Sequence, residues 1–328
     1  MPTTPDRVMR RFAMLGKLEA AYGVRETVFD TFDALLLSGQ PKITFSADNV
    51  DRDLVTPWLG ASHQIKGTSR AECEFATELV GGGTSGAAPE WGKWLRCCGF
   101  GETIVNTGAS KRVVYAPAND NFEGMTQRFN RDGVRYTATG ARGNFKIDLS
   151  ASKLPMLNFN TLAFDALPVA EAMPAIDLSR FLTPAAVNTE NSGSLHLGGT
   201  LENGRSLLGG TSWPNMGIAW DMGNKLSHAK LIDGDHIRIA DRRVTGKLTA
   251  SLSAAQEIAL WTAIDNISEI SIGFTHGLTA GKQITVWAPR VQRSNMQQVD
   301  VDGALLISMD LTALPGPTGA AEIQIIAW

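Results

Sequence analysis

The sequence has little of what enzymes, metal proteins and secreted proteins need. Its 328 residues contain three cysteines, Cys73, Cys97 and Cys98. That is too few for a disulfide framework. Cys97 and Cys98 are adjacent, so they lack metal-ligand spacing, and no cysteine sits near a histidine in a zinc pattern. On a helix such a pair fits buried packing better than a redox centre. Histidine is scarce too: His63, His196, His228, His236 and His276 form no metal-binding pair on one element. Asp51 with Asp53, and Asp233 with Asp235, could flank a calcium ion, but such pairs more often cap local turns. There is no G-x-S-x-G elbow, H-E-x-x-H, P-loop or kinase set. Residues 209–217 are glycine-rich, yet Pro214 and the lack of a following helix mark a surface loop. No acid, base and nucleophile converge, so the sequence points away from an enzyme and calls for no cofactor.

Two further absences bear on location and partners. The opening residues 1–12 lack the apolar stretch of a signal peptide, and no later run is long enough to span a bilayer. The expectation is a chain folded in a reducing cytoplasm, with no membrane partner. The net charge of −3 gives no basic footprint for gripping phosphates. Residues 1–165 hold 19 Lys+Arg against 18 Asp+Glu, and the remainder holds 11 against 15. Neither half is a polyelectrolyte.

What is present is a hydrophobic content of 43% and 33 glycines, with many Thr, Ser and Ala, which favours strands and turns. The second half also resembles the first. His63/His236, Arg70/Arg243, Phe75/Leu248 and Leu79/Leu252 are each 173 apart, as are Asp48 and Asp221. Leu157/Ile307, Phe159/Met309 and Ala163/Ala313 are each 150 apart. Residues 45–51 and 218–224 are read as equivalent. The change of spacing predicts an insertion at 101–124 in the first copy, with its own strand at 112–116. A repeat this long indicates two copies of a domain rather than a solenoid unit. The predicted fold is mainly β, with two tandem β-sandwich domains, each with its own core and one flanking α-helix. Domain one covers residues 1–165, a Pro/Ala/Asn-rich linker 166–194, and domain two 195–328.

Alternation predicts antiparallel strands with one wet face. Ala71, Cys73, Phe75, Thr77 and Leu79 share a face, and Glu72, Glu74 and Glu78 share the other. The matching polar face of a strand at 243–252 carries Arg243, Thr245, Lys247, Thr249 and Ser251. Acidic and basic faces could become neighbours around a ring, or both could simply be solvated. Residues 89–99 read as a helix burying Trp91, Trp94, Leu95 and Cys98. Residues 254–264 read as a second helix, capped by Ser253 and burying Ile258, Trp261 and Ile264. Residues 12–22 suggest a short amphipathic helix or a docking arm. Asp132-Gly133 signals a hairpin, and residues 270–274 and 284–288 form another.

Several stretches resemble the tail tube proteins of long-tailed bacteriophages: residues 15–23 (LGKLEAAYG), 50–60 (VDRDLVTPWLG), 74–100, 131–134 (RDGV) and 139–145 (TGARGNF). The resemblance is strong over 12–165 and rests on the repeat beyond that. It implies a β-sandwich with one flanking helix, assembled into rings whose inner strands form a barrel. Stacked rings would make the conduit for genome delivery. It also implies that the loops at 48–62 and 221–235 touch the next ring, with Asp48, Arg52, Trp58, Asp221, Lys225 and Asp235 as candidate contacts. Typical members are one-domain hexamers, so two domains imply a homotrimer with pseudo-hexameric symmetry. Candidate lumen-facing residues are Glu72, Glu74, Glu78, Asn158, Asn160, Ser308 and Asp310, with Arg243 and Lys247 interrupting an acidic wall. The implied partners are further copies of the chain, a tape measure protein, and later double-stranded DNA without sequence-specific contacts. The implied location is the virion tail, assembled in the host cytoplasm. Other readings are a related tube component, such as a secretion-type tube or tail-completion ring, and a host-recognition β-sandwich. Tryptophans could stack sugars in the last case, but Trp91, Trp94 and Trp261 lie on helix stripes.

Overall fold

In the computed structural model, residues 7–165, 167–232, 234–317, 319 and 321–328 are described. The first half runs β1 (Phe12–Leu18), β2 (Lys42–Val50), β3 (Ile65–Glu78), α1 (Gly92–Cys97), β4 (Phe100–Val105), β5 (Arg112–Pro117), β6 (Met125–Arg131), β7 (Val134–Ser150), β8 (Met156–Asp165) and the short β9 (Val169–Ala170). The second runs β10 (Ser192–Leu197), β11 (Thr200–Glu202), β12 (Ser206–Leu208), β13 (Asn215–Asp221), β14 (Asn224–Ala229), β15 (His236–Arg242), β16 (Thr245–Ala250), α2 (Ala254–Asp265), β17 (Ile270–His276), β18 (Ile284–Val301), β19 (Ala304–Ala313) and β20 (Gln324–Ala327). The fold is mainly β, with antiparallel pairing throughout.

The turns follow from backbone chemistry. Asp132 and Gly133 both take positive φ (39° and 88°) between β6 and β7. Asp302 and Gly303 do the same (51° and 83°) between β18 and β19. Two positive-φ residues match the strand twist of a two-residue hairpin, and Asp-Gly supplies them at low cost.

A backbone of eight strands, in the order β2-β3-β8-β7-β13-β16-β19-β18, makes a continuous ribbon. The two longest strands of that ribbon, β7 and β18, each leave it at their N-terminal halves. There β7 pairs with β6 and β9, and β18 with β17 and β20. The same registers occur in both halves. Phe75 faces Phe159 in β3–β8, and Leu248 faces Met309 in β16–β19. Ala138 faces Gln127, and Ala288 faces Ile272. Met14 faces Phe129, and Leu195 faces Phe274. The spacing of 173 is kept between β3 and β16 and that of 150 between β8 and β19, whereas Gln127 and Ile272 are 145 apart and Met14 and Leu195 are 181 apart.

The hairpin β4–β5 follows α1, in the region expected to be an insertion, and no strand pair intervenes between α2 and β17. β5 pairs with β20, which pairs with β18, so the extra hairpin staples the first half to the second. Within the expected linker, residues 167–194 are tied down as well. His276 Nε2 lies 3.1 Å from the Ala185 carbonyl, its Nδ1 lies 3.0 Å from Ser192 Oγ, and Val187 exchanges backbone hydrogen bonds with Ser152 and Lys153.

Five expectations change. Residues 12–18 form a strand, not a helix, because Ala13 and Leu15 bury on one face and Met14 on the other, a period of two. Gly16 is required there: a Cβ would stand 2.4 Å from the Trp94 ring. The equivalence of 45–51 with 218–224 fails, because Trp220 faces Gly246 as Ile43 faces Cys73, a spacing of 177. Asp48 and Asp221 are not counterparts. The strand expected over 243–252 is only Thr245–Ala250. The two halves do not hold separate cores, since one buried cluster includes Met14 and Phe75 together with Leu248, Ile307 and Ala327.

The fifth change concerns the helices. In α1, Trp91 Nε1 donates to the Val80 carbonyl at 2.8 Å, and Trp94 meets Phe75 edge-on at 5.0 Å. In α2 the predicted cap is present: Gln256 N donates to Ser253 Oγ, and Ser253 N to Gln256 Oε1. Yet Ile258 is 68% and Trp261 49% exposed, and Leu260 is the buried residue. Tyr115 of β5 packs on Trp91, and α2 has no such inserted hairpin over it.

Candidate assembly surface

One face of the ribbon is the core and the other is polar. The polar face is built by alternation from the strands already described. Glu72, Glu74, Asn158, Asn160 and Lys247 are exposed on it, Glu78 and Asp310 are half-buried, and Ser308 is buried within 3.3 Å of Thr249 Oγ1. Arg243 is exposed in the break between β15 and β16. Lys42, Glu74, Asn160 and Asn144 lie opposite one another in a row across β2, β3, β8 and β7.

The charges are largely matched locally. Lys42 Nζ lies 3.4 Å from Glu74, and Arg70 lies 3.3 Å from Glu72 and 3.1 Å from Asp48. The acidic β3 and basic β16 are not neighbours: β8, β7 and β13 separate them. Lys247 instead faces Asp310 and Ala219.

The ribbon's two halves meet at β7 and β13. Ile147 faces Trp220 on the core side, and both are buried. On the polar side Lys146 Nζ lies 2.8 Å from Asp221, and Asn144 Nδ2 donates to the same carboxylate at 2.9 Å. Burial alone would raise the Asp221 pKa, but the hydrogen bonds from Asn144, Lys146 and the Gly223 backbone outweigh it and hold the group below the usual 3.8. Asn224 locks the seam from behind, its Nδ2 donating to the carbonyls of Cys98 (2.7 Å) and Gly143 (2.9 Å). None of Lys146, Asn144 and Asn224 was singled out from sequence. A lone Lys-x-x spacing carries no signal when its partner is 75 residues away.

Past this seam the β14–β15 hairpin crosses onto the first half. Ile237 N donates to the Tyr22 hydroxyl at 2.7 Å, and Arg142 donates to the Ile237 carbonyl at 2.7 Å. The β2–β3 hairpin is held at its base, where Asp48 pairs with Lys230 and Phe45 stacks on Tyr136 at 5.0 Å. Its tip bears Val55 (102% exposed), Trp58 and Leu59, all bare, next to exposed Arg52. Of the predicted loop residues, Arg52 and Trp58 lie in that tip. Asp48 lies in β2, paired with Arg70 and Lys230, and Asp221 in β13. Lys225 lies in β14, and Asp235 precedes β15, 2.8 Å from His228. The Asp233 of the possible calcium pair lies outside the described residues.

Among the described residues no group of three or more His, Cys, Asp or Glu could hold a metal. Burial pushes the Cys73 thiol up to about 12, with the Glu74 charge adding to the rise, and burial raises Cys98 well above its usual value. Such thiols are inert at neutral pH.

The sequence profile of the phage tail tube proteins matches residues 14–313, nearly the whole described fold. This chain belongs to the phage tail tube protein family. No curated protein matches it. As a tail tube protein it is a structural component of the virion tail, and the family implies self-assembly into rings or stacks. No described helix is long and apolar enough to cross a membrane.

Proposed function

We propose that this tail tube protein carries two copies of one tube unit, residues 1–165 and 195–328 joined by 166–194. Three chains close a ring of pseudo-sixfold symmetry, and rings stack into the tube of a siphovirus-like tail, the conduit for genome delivery. The observation that carries the reading is the ribbon: the block β2-β3-β8-β7 is followed without a break by β13-β16-β19-β18 in matching registers. A ribbon open at both ends leaves unpaired backbone groups, and closure into a barrel removes them. The polar face would line the lumen, with Glu72, Glu74, Glu78, Asn158, Asn160, Ser308 and Asp310 beside Arg243 and Lys247. Charges paired on the wall leave no net positive field to hold a polyanion, so a tape measure protein and then duplex DNA could pass. The tips around Arg52 and Trp58, and around Lys225 and Asp235, would meet the next ring. Electron microscopy of the purified protein tests this: threefold rings or tubes are expected, and a persistent monomer at high concentration would overturn it.

A further inference from the structure

The ring reading leaves open which strands meet between chains and in what register. Two edges of the ribbon are unpaired among the described strands. β2 is bonded only to β3, and residues 292–301 of β18 are bonded only to β19. Within the chain, the strand corresponding to β18 is β7, and the one corresponding to β2 is β13. Those two are joined, so the chain contains a template for its own intermolecular contact.

The template can be transferred residue by residue. Lys146 and Gln297 both sit opposite the matched pair Asn158 and Ser308, and Ile147 and Gln298 opposite Leu157 and Ile307. On the other side, Trp220 and Ile43 both sit opposite the matched pair Gly246 and Cys73. The internal seam pairs Lys146 with Asp221 and Ile147 with Trp220, antiparallel. We propose that β2 of a second copy adds antiparallel to the free half of β18 in the corresponding register: Gln297 opposite Thr44, Gln298 opposite Ile43, and Val299 opposite Lys42. A one-residue slip would set the core-facing residues of one strand against the lumen-facing residues of the other, which is why the register is specified. Pro41, which has no backbone N–H to donate, limits the pairing at its N-terminal end.

The two seams share a register but differ in strength. The outer one replaces the Lys146–Asp221 ion pair with Gln297 and Thr44. It also lacks a lock like Asn224, whose counterpart by the 177 spacing is Ala47. The inner seam is made once on folding, whereas the outer one must form between preassembled chains and tolerate correction of errors.

The inference rests on the ring reading, and the test separates the two. Paired cysteines are introduced as Thr44→Cys with Gln297→Cys, Lys42→Cys with Val299→Cys, and the off-register pair Thr44→Cys with Val299→Cys. Thr44, Lys42 and Gln297 are exposed, and the native cysteines are buried and stay out of the reaction. Assembly is confirmed by microscopy under reducing conditions, then a mild oxidant is added. The first two pairs should give a reducible ladder ending at three linked chains, and the third should give none, because a disulfide needs Cβ atoms close to 4 Å apart. Rings that crosslink through the off-register pair, or through no pair, would overturn the register while leaving the ring intact. Absence of rings in the unsubstituted protein would overturn both.

Discussion

Each helix follows a strand of the ribbon, α1 after β3 and α2 after β16, yet one is sealed and the other half bare. α1 is six residues long, and it buries Trp94, and Trp91 at its N-cap, almost completely. α2 is twice as long, carries a full capping box, and leaves Ile258 and Trp261 in solvent. The difference is not in the helices' own sequences, since α2 has the better local signals. It lies in what each half places over the helix: β1 and the β4–β5 hairpin cover α1. Packing fixes α1, while capping and propensity carry α2, which is the usual division between buried and exposed helices. The two seams differ in the same way, one sealed by Asn224 and an ion pair, the other open.

The largest effect should separate the helices. Trp94→Ala removes a fully buried ring and should cost about 3–5 kcal/mol, whereas Trp261→Ala should stay within about 0.5 kcal/mol for the unassembled chain. Equal losses in denaturant unfolding would abolish the contrast. Next comes the lock: Asn224→Ala strands the Cys98 and Gly143 carbonyls and should cost about 1–3 kcal/mol. A neutral result would mean that water replaces it.

The ion pair contributes less. Lys146→Ala should cost at most about 1 kcal/mol and less in high salt, because both partners are partly solvated. Transplanting the pair with Gln297→Lys and Thr44→Asp should make rings persist at greater dilution at low salt. If it has no effect on the dissociation midpoint, the two seams are not built alike. The pH dependence has a definite sign. Asp221 has a lowered folded pKa, so its contribution is complete above 3.8, erodes as the pH falls toward the lowered value, and levels off below it. Asp221→Asn should flatten that part of the acid-denaturation profile. The smallest effect is expected from Arg243→Glu with Lys247→Glu, because three strands separate these residues from the acidic strand; rings should still close, as microscopy would show.

Much of the fold was legible in the sequence because strand pairing keeps sequence spacing. Phe75/Leu248 and Phe159/Met309 are matched in the sequence, and their registers agree in space. The hairpin at Asp132-Gly133 and the cap at Ser253 were visible because turn and cap chemistry is local. The strand at 12–18 was misread because both of its faces are buried, which removes the alternation that marks a strand. The stripe on α2 was misread for the opposite reason: apolar spacing shows which face could be buried, but not whether anything arrives to cover it. The polar-face residues were found by alternation, while the seam residues were missed because Lys146, Asp221 and Asn224 become neighbours only after β7 and β13 pair.

The sequence by itself determined the mainly β class of structure, the hairpin turn at Asp132-Gly133 and the helix cap at Ser253. Those are properties of period, spacing and residue type, which each segment carries locally. Only the tertiary structure decided that the halves share one core and one ribbon, that β4–β5 ties the first to the second, and which edges stay open. Those depend on contacts between residues far apart in the chain, where burial and hydrogen bonding are settled by what each strand finds beside it.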